Sequence, residues 1–144
     1  MRIEESVEIN RPLEEVYEYV ATPENLPEWA GTVIETRKDT PGPLLEGSTF
    51  TFVGKFLGRK IESPFKVTAH EFPRLHSHKS TGGPLPTEWT LTFEKVAGRT
   101  RYTQVAEGEP GGFFGLVGPL LERVGRRQLR TDLGNLKDLL EARG

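Results

Sequence analysis

Glu88-Trp89-Thr90-Leu91-Thr92-Phe93-Glu94, followed by Gly98-Arg99-Thr100-Arg101-Tyr102-Thr103-Gln104, carries the pattern on which the architecture turns. Trp89, Leu91 and Phe93 recur at every second position, as do Tyr102 and Gln104. A period of two is the signature of a half-buried strand, and Gly98 between the runs marks a turn. The same pattern extends upstream. Strands are predicted over 31–38, 47–55, 59–70, 74–80, 86–96 and 99–108, divided by Pro41-Gly42-Pro43, Gly58, Pro73, Gly82-Gly83-Pro84 and Gly98. Phe50 and Phe52 share a face, and so do Ile61, Phe65, Val67 and Ala69. One-sided alternation of this kind describes an antiparallel sheet with one covered face. Pro64 removes a ladder donor within its strand, which predicts an edge or a bulge there.

Outside the meander the pattern changes. Residues 2–10 alternate, with Ile3, Val7 and Ile9 on one face, and predict a first strand. Pro12 stands near the start of a helix over Leu13–Val20, whose apolar positions Leu13, Val16, Tyr17 and Val20 have helical spacing. Thr22 followed by Pro23 reads as an N-cap opening a second short helix to about Trp29. The closing element, about 112–142, is helical, with 111–117 as a separate turn and the long helix beginning near Pro119. The predicted order is β-α-α-β-β-β-β-β-β-α, an α+β fold in a single domain over residues 1–144.

Composition narrows the function. The balance of 19 basic and 21 acidic residues disfavours a duplex nucleic-acid partner. Absence of cysteine removes disulfides, thiolate metal sites and cysteine nucleophiles. No signal-peptide core follows Met1, and the apolar run Phe113–Leu121 is too short to span a bilayer. A cytoplasmic protein is expected, with transient membrane contact at most. Scarce Asn, Gln, Met and Cys and an excess of Arg over Lys point toward a thermophilic source. The 16 glycines and 11 prolines of 144 residues exceed the average share of roughly 12 % by about half, and fall mainly between apolar segments.

The closing helix has two apolar arcs. Relative to Leu120, Leu129, Leu133, Leu136 and Leu140 fall between about 160° and 220°, while Phe113, Val117 and Val124 lie near about 0–60°. Extending the leucine arc toward the N-terminus meets Gly125, Glu122, Gly118 and Gly115. Either the helix starts or bends near 118–125, or these small residues leave space for a ligand. Arg123, Arg126, Arg127 and Arg130 form an opposite arc, either a solvated face or a contact for an anionic partner such as lipid headgroups.

Three segments resemble the START-like, or SRPBCC, superfamily, which includes polyketide cyclase/dehydrase-like and Bet v 1-like proteins. Val7-Glu8-Ile9-Asn10-Arg11-Pro12-Leu13-Glu14-Glu15-Val16-Tyr17 with Thr22-Pro23-Glu24-Asn25-Leu26-Pro27-Glu28-Trp29 is similar to its opening strand, proline-started helix and "Leu-Pro-x-Trp" helix. The segments 88–94 and 98–103 resemble its late strands and "Gly-x-Thr-Arg" turn, and Arg126–Lys137 resembles its closing helix. The resemblance spans essentially the whole chain and implies the helix-grip fold. That fold is a curved antiparallel seven-stranded sheet wrapped around a long C-terminal helix, with a cavity between them. Function diverges within the superfamily.

Candidate residues follow from where the pattern places side chains. Trp29, Phe52, Phe65 and Trp89 belong to enclosing faces, as core or as lining of a binding chamber, and Leu129, Gly118 and Gly125 face them from the helix. Tyr102 and Gln104 are polar groups on an inward face, able to orient a ligand carbonyl or hydroxyl. His76-Ser77-His78 places two imidazoles on one side of a strand. They are two ligands of a metal site completed by His70 and Glu62 or Glu88, or acid–base or ligand-contact groups, or ordinary exposed residues. Leu75 favours the last reading, because it claims the opposite parity. Glu5 and Asp132 sit near inward phases, where burial raises a carboxyl pKa; pairing with an arginine is the alternative for Glu5. Gly108–Gly112 lacks the Lys-Ser/Thr of a P-loop and reads as a loop. No cofactor and no metal are expected. The expected function is binding or transport of a small hydrophobic or amphipathic molecule (lipid, isoprenoid or polyketide-like) by a monomer or homodimer. A polyketide cyclase/dehydratase-type enzyme, using Tyr102, His76, His78 or Glu5, is one alternative. A protein-interaction module presenting 113–124 is the other.

Overall fold

The computed structural model describes residues 1–42, 44–56, 58–109 and 115–143. Its elements are β1 (Arg2–Ile9), α1 (Leu13–Val20), a 3₁₀ turn (Pro23–Asn25), α2 (Leu26–Trp29), β2 (Val33–Lys38), β3 (Thr49–Phe56), β4 (Arg59–Glu71), β5 (Leu75–Ser80), β6 (Glu88–Val96), β7 (Arg99–Glu107) and α3 (Gly118–Glu141). The strands form one seven-stranded antiparallel sheet in the order β1-β7-β6-β5-β4-β3-β2. β1 and β2 are therefore opposite edges, and α1 and α2 carry the chain from one to the other. This is the α+β helix-grip architecture.

Local chemistry explains the boundaries. Ala97 and Gly98 join β6 to β7 with φ of 51° and 80°, the left-handed pair that a two-residue hairpin turn requires. Pro64 lies within the 13-residue β4. β3 pairs with β4 along this stretch, but β5 covers it only from Phe65 onward. Pro64 thus stands at the very end of this ladder: its carbonyl still accepts from the Thr81 N–H at 2.8 Å, and its missing donor costs only a terminal bond. Pro12 occupies the N-cap position of α1 rather than its first turn. Thr22 does not cap with its side chain; its hydroxyl donates back to the Glu18 carbonyl at 2.7 Å, and the segment after it splits into the 3₁₀ turn and α2. Pro43, residues 110–112 and Phe113 lie outside the described residues.

α3 is continuous across Gly125 and packs along β1 and against α2. Leu133, Leu136 and Leu140 are buried beneath its C-terminal half with Val16, Tyr17, Phe93 and Tyr102. A second apolar cluster, Leu44, Phe50, Phe65 and Val67, lies toward β3 and β4. The outer arc is not uniformly solvated. Arg126 and Arg130 reach Glu5 on β1 at 3.4 and 2.8 Å, whereas Arg123 is exposed. Of the other apolar arc, Leu120 is exposed and Val117 and Val124 are half-buried.

Candidate functional site

Between the two apolar clusters lies a cavity of about 220 Å³. Its floor is the inner face of β3–β7, and α2 and the N-terminal half of α3 cover it. The wall is mostly apolar: Trp29 from α2, Phe50 and Phe52 from β3, Phe65 from β4, Trp89 from β6, and Leu121 and Leu129 from α3. The leucines of α3 fill the fold from Leu133 onward, and the space opens where that filling stops.

Polar groups project into this apolar setting from three sides. On β7, the Tyr102 hydroxyl donates to Gln104 Oε1 at 2.6 Å. Burial holds the Tyr102 phenol well above its usual value, so it stays protonated. With Oε1 so engaged, the Gln104 amide nitrogen is free to donate to a ligand.

On α3, Asp132 and Gln128 stand one turn apart. Asp132 Oδ1 accepts from the Gly31 backbone N–H at 3.0 Å and from Gln128 Nε2 at 2.8 Å. Burial raises the Asp132 carboxyl pKa, and these two bonds oppose the rise. No lysine or arginine among the described residues lines the cavity.

On β5, His76 and His78 are both buried and both line the cavity. This corrects the reading of 74–80 as an exposed strand. Leu75 occupies the other face, and its carbonyl is engaged by the Tyr17 hydroxyl at 2.9 Å. His76 Nδ1 lies 3.1 Å from His70 Nδ1, which in turn lies 3.1 Å from the Tyr17 hydroxyl. His78 packs edge-on to Phe50 and Phe65, and its Nδ1 is enclosed without a partner. Burial, then the neighbouring His70, brings His76 down to about 4. Burial, then His76, holds His78 well below its ordinary value. Both rings are neutral at pH 7. A second enclosed polar atom without a partner is the Trp29 indole nitrogen. Buried polar atoms are nearly always satisfied, and these two are exceptions among the described residues.

Other sequence candidates fall differently. Trp29, Phe52, Phe65, Trp89, Tyr102, Gln104, Gly125 and Leu129 are all on the wall. Gly118 and Glu5 are not; Glu5 is held between Arg126 and Arg130 on the outer flank of α3. Gly125 does not leave a hole, since a Cβ there would stand 3.1 Å from Ile3 Cδ1; the glycine lets α3 approach β1. Leu121, Phe50 and Gln128 were not singled out by sequence. The spacing of Phe50 with Phe52, and of Gln128 with Asp132, was the available signal. His70 is half-buried behind His76, and Glu62 is exposed and paired with Arg37. Among the described residues no three His, Asp or Glu side chains converge as metal ligands. No helix among them is long and apolar enough to cross a membrane.

Known proteins share this architecture. The chain superimposes on TTHA0849 of Thermus thermophilus with a TM-score of 0.86 at 18 % identity, over 100 % of this chain and 99 % of that one. Ara h 8.0201 gives 0.75 at 10 % identity, over 99 % and 98 %. The di-domain ARO/CYC protein BexL of the BE-7585A biosynthetic pathway gives 0.76 at 16 % identity, over 98 % of this chain and 46 % of that one. At such identities the likenesses establish the fold. No curated protein matches by sequence. A family model, however, described as polyketide cyclase / dehydrase and lipid transport, matches residues 1–141. With a sheet-and-helix cavity in place and a match over nearly its whole length, the chain belongs to the polyketide cyclase/dehydrase and lipid transport family of the SRPBCC superfamily.

Proposed function

We propose that the protein binds a small, uncharged apolar or amphipathic molecule in the cavity between sheet and α3, and serves as its carrier. The observation that carries this reading is the wall itself: aromatic and aliphatic side chains enclose it, with a few polar groups set among them and no basic residue among those described. Apolar burial at roughly 25 cal/mol per Å² supplies affinity, and Gln104, His76 and His78 supply orientation. No lysine or arginine side chain among the described residues stands on this wall to pair with a fatty-acid carboxylate or a phosphate, which disfavours both. The test is organic extraction of the purified protein followed by mass spectrometry. A stoichiometric uncharged compound is expected; a stoichiometric anionic lipid would contradict the reading.

A second reading, cyclisation or dehydration of a poly-carbonyl chain, is favoured by the protonatable groups on the same wall. Tyr102 is held protonated and Asp132 has a raised pKa, and a folded chain between them would meet both. The two readings separate on Tyr102→Phe and Asp132→Asn. An enzyme loses turnover in these variants, whereas a carrier shows only altered affinity. BexL, named for its place in a biosynthetic pathway, shares the fold, and poly-carbonyl substrates are the first compounds to try.

A further inference from the structure

Three short contacts fix where the protons lie around β5. Tyr17 donates its hydroxyl proton to the Leu75 carbonyl at 2.9 Å. Its oxygen can then face His70 Nδ1, 3.1 Å away, only if that nitrogen carries a hydrogen. The same N–H is shared with His76 Nδ1, also at 3.1 Å, which must accept. In the reverse arrangement Tyr17 donates to His70, and its contact with Leu75 is left without a proton. Only the first arrangement satisfies all three. His76 is neutral, so its single hydrogen sits on Nε2.

His78 reaches the same state by another route. Its Nδ1 is enclosed with no partner, beside Phe50 and Phe65. A buried orphan N–H is costlier and rarer than a buried orphan acceptor, which places the hydrogen of this neutral ring on Nε2. Neither Nε2 has a hydrogen-bond partner among the described residues, and both rings line the cavity. The ring centroids are 5.6 Å apart with their planes tilted by 56°, so the two imidazoles stand side by side on one part of the cavity wall.

Resting on the binding function proposed above, we propose that the Nε2–H groups of His76 and His78 form a two-donor clamp for a carbonyl oxygen. The ligand is accordingly an uncharged ketone or quinone-like compound rather than a hydrocarbon or an acid. Tyr17 and His70 act as positioning residues, holding His76 in the donating tautomer.

The experiment has two parts. Long-range proton–nitrogen correlation spectra of the intact protein at pH 7 report each tautomer directly. Nε2–H forms of His76 and His78 with an Nδ1–H form of His70 are expected, and an Nδ1–H form of either clamp residue overturns the proposal. Calorimetric titration with 1-tetralone and with tetralin, which lacks the carbonyl, then reads the clamp. The ketone is expected to bind about tenfold more tightly. His78→Phe should erase that preference. Tyr17→Phe should weaken the preference and shift the His76 spectrum. Equal affinity for the two compounds overturns the clamp alone, and failure of both to bind overturns the cavity function with it.

Discussion

At the scale of the residue, the histidines matter most. His76 is brought down to about 4 in the folded protein from an ordinary value of 6.5. The unfolded chain therefore takes up this proton first as pH falls. Stability from the neutral ring is complete above about pH 6.5 and is lost between there and pH 4, at about 1.4 kcal/mol per unit. Urea unfolding at pH 7 and at pH 4.5 should show wild type losing about 2 kcal/mol more than His76→Gln; equal losses would contradict a buried neutral imidazole. The sequence placed His76 and His78 on one strand side but not on the inner one. Leu75 pointed the other way, and in so short a strand one leucine outweighed two polar rings. Tyr102 and Gln104 were legible because the opposite parity would bury Arg101, and the register sets them against Phe93 and Leu91.

At the scale of the element, α3 combines two tasks. Its C-terminal half closes the core through Leu133, Leu136 and Leu140, and its N-terminal half roofs the cavity through Leu121 and Leu129. Gly125 stands on the cavity wall, but it also lets α3 close on Ile3 of β1, and wheel angles carry no information on that approach. Gly134 and Gly125 make a test of that approach. A Cβ at Gly134 meets nothing within 4 Å, so Gly134→Ala should stabilise by up to about 1 kcal/mol through helix propensity. Gly125→Ala should gain less, because Ile3 must shift; thermal melts of both variants would show it. Glu5 links the helix to β1 through Arg126 and Arg130. With Arg130 largely exposed, Glu5→Gln should cost about 1 kcal/mol in denaturant unfolding and leave ligand affinity unchanged. A loss of binding there would return Glu5 to the site.

At the scale of the whole molecule, the element order, the strand boundaries to within two residues and the covered face were readable from alternation and from glycine and proline punctuation. The cavity was readable as an implication of family resemblance and, as one of two alternatives, from the small residues of the closing helix. Empty space has no residue of its own: it arises where the leucines of α3 end while the sheet continues to present aromatics. Membership of the polyketide cyclase/dehydrase and lipid transport family fits such a shell. The most direct test of the chamber is titration with the uncharged fluorophore N-phenyl-1-naphthylamine, comparing wild type with Ala106→Phe, which fills the floor from β7. Saturable one-to-one binding by wild type, weakened at least tenfold in a variant that keeps its circular dichroism spectrum, is the predicted result. Absence of saturable binding by wild type, or identical binding by both proteins, would contradict it.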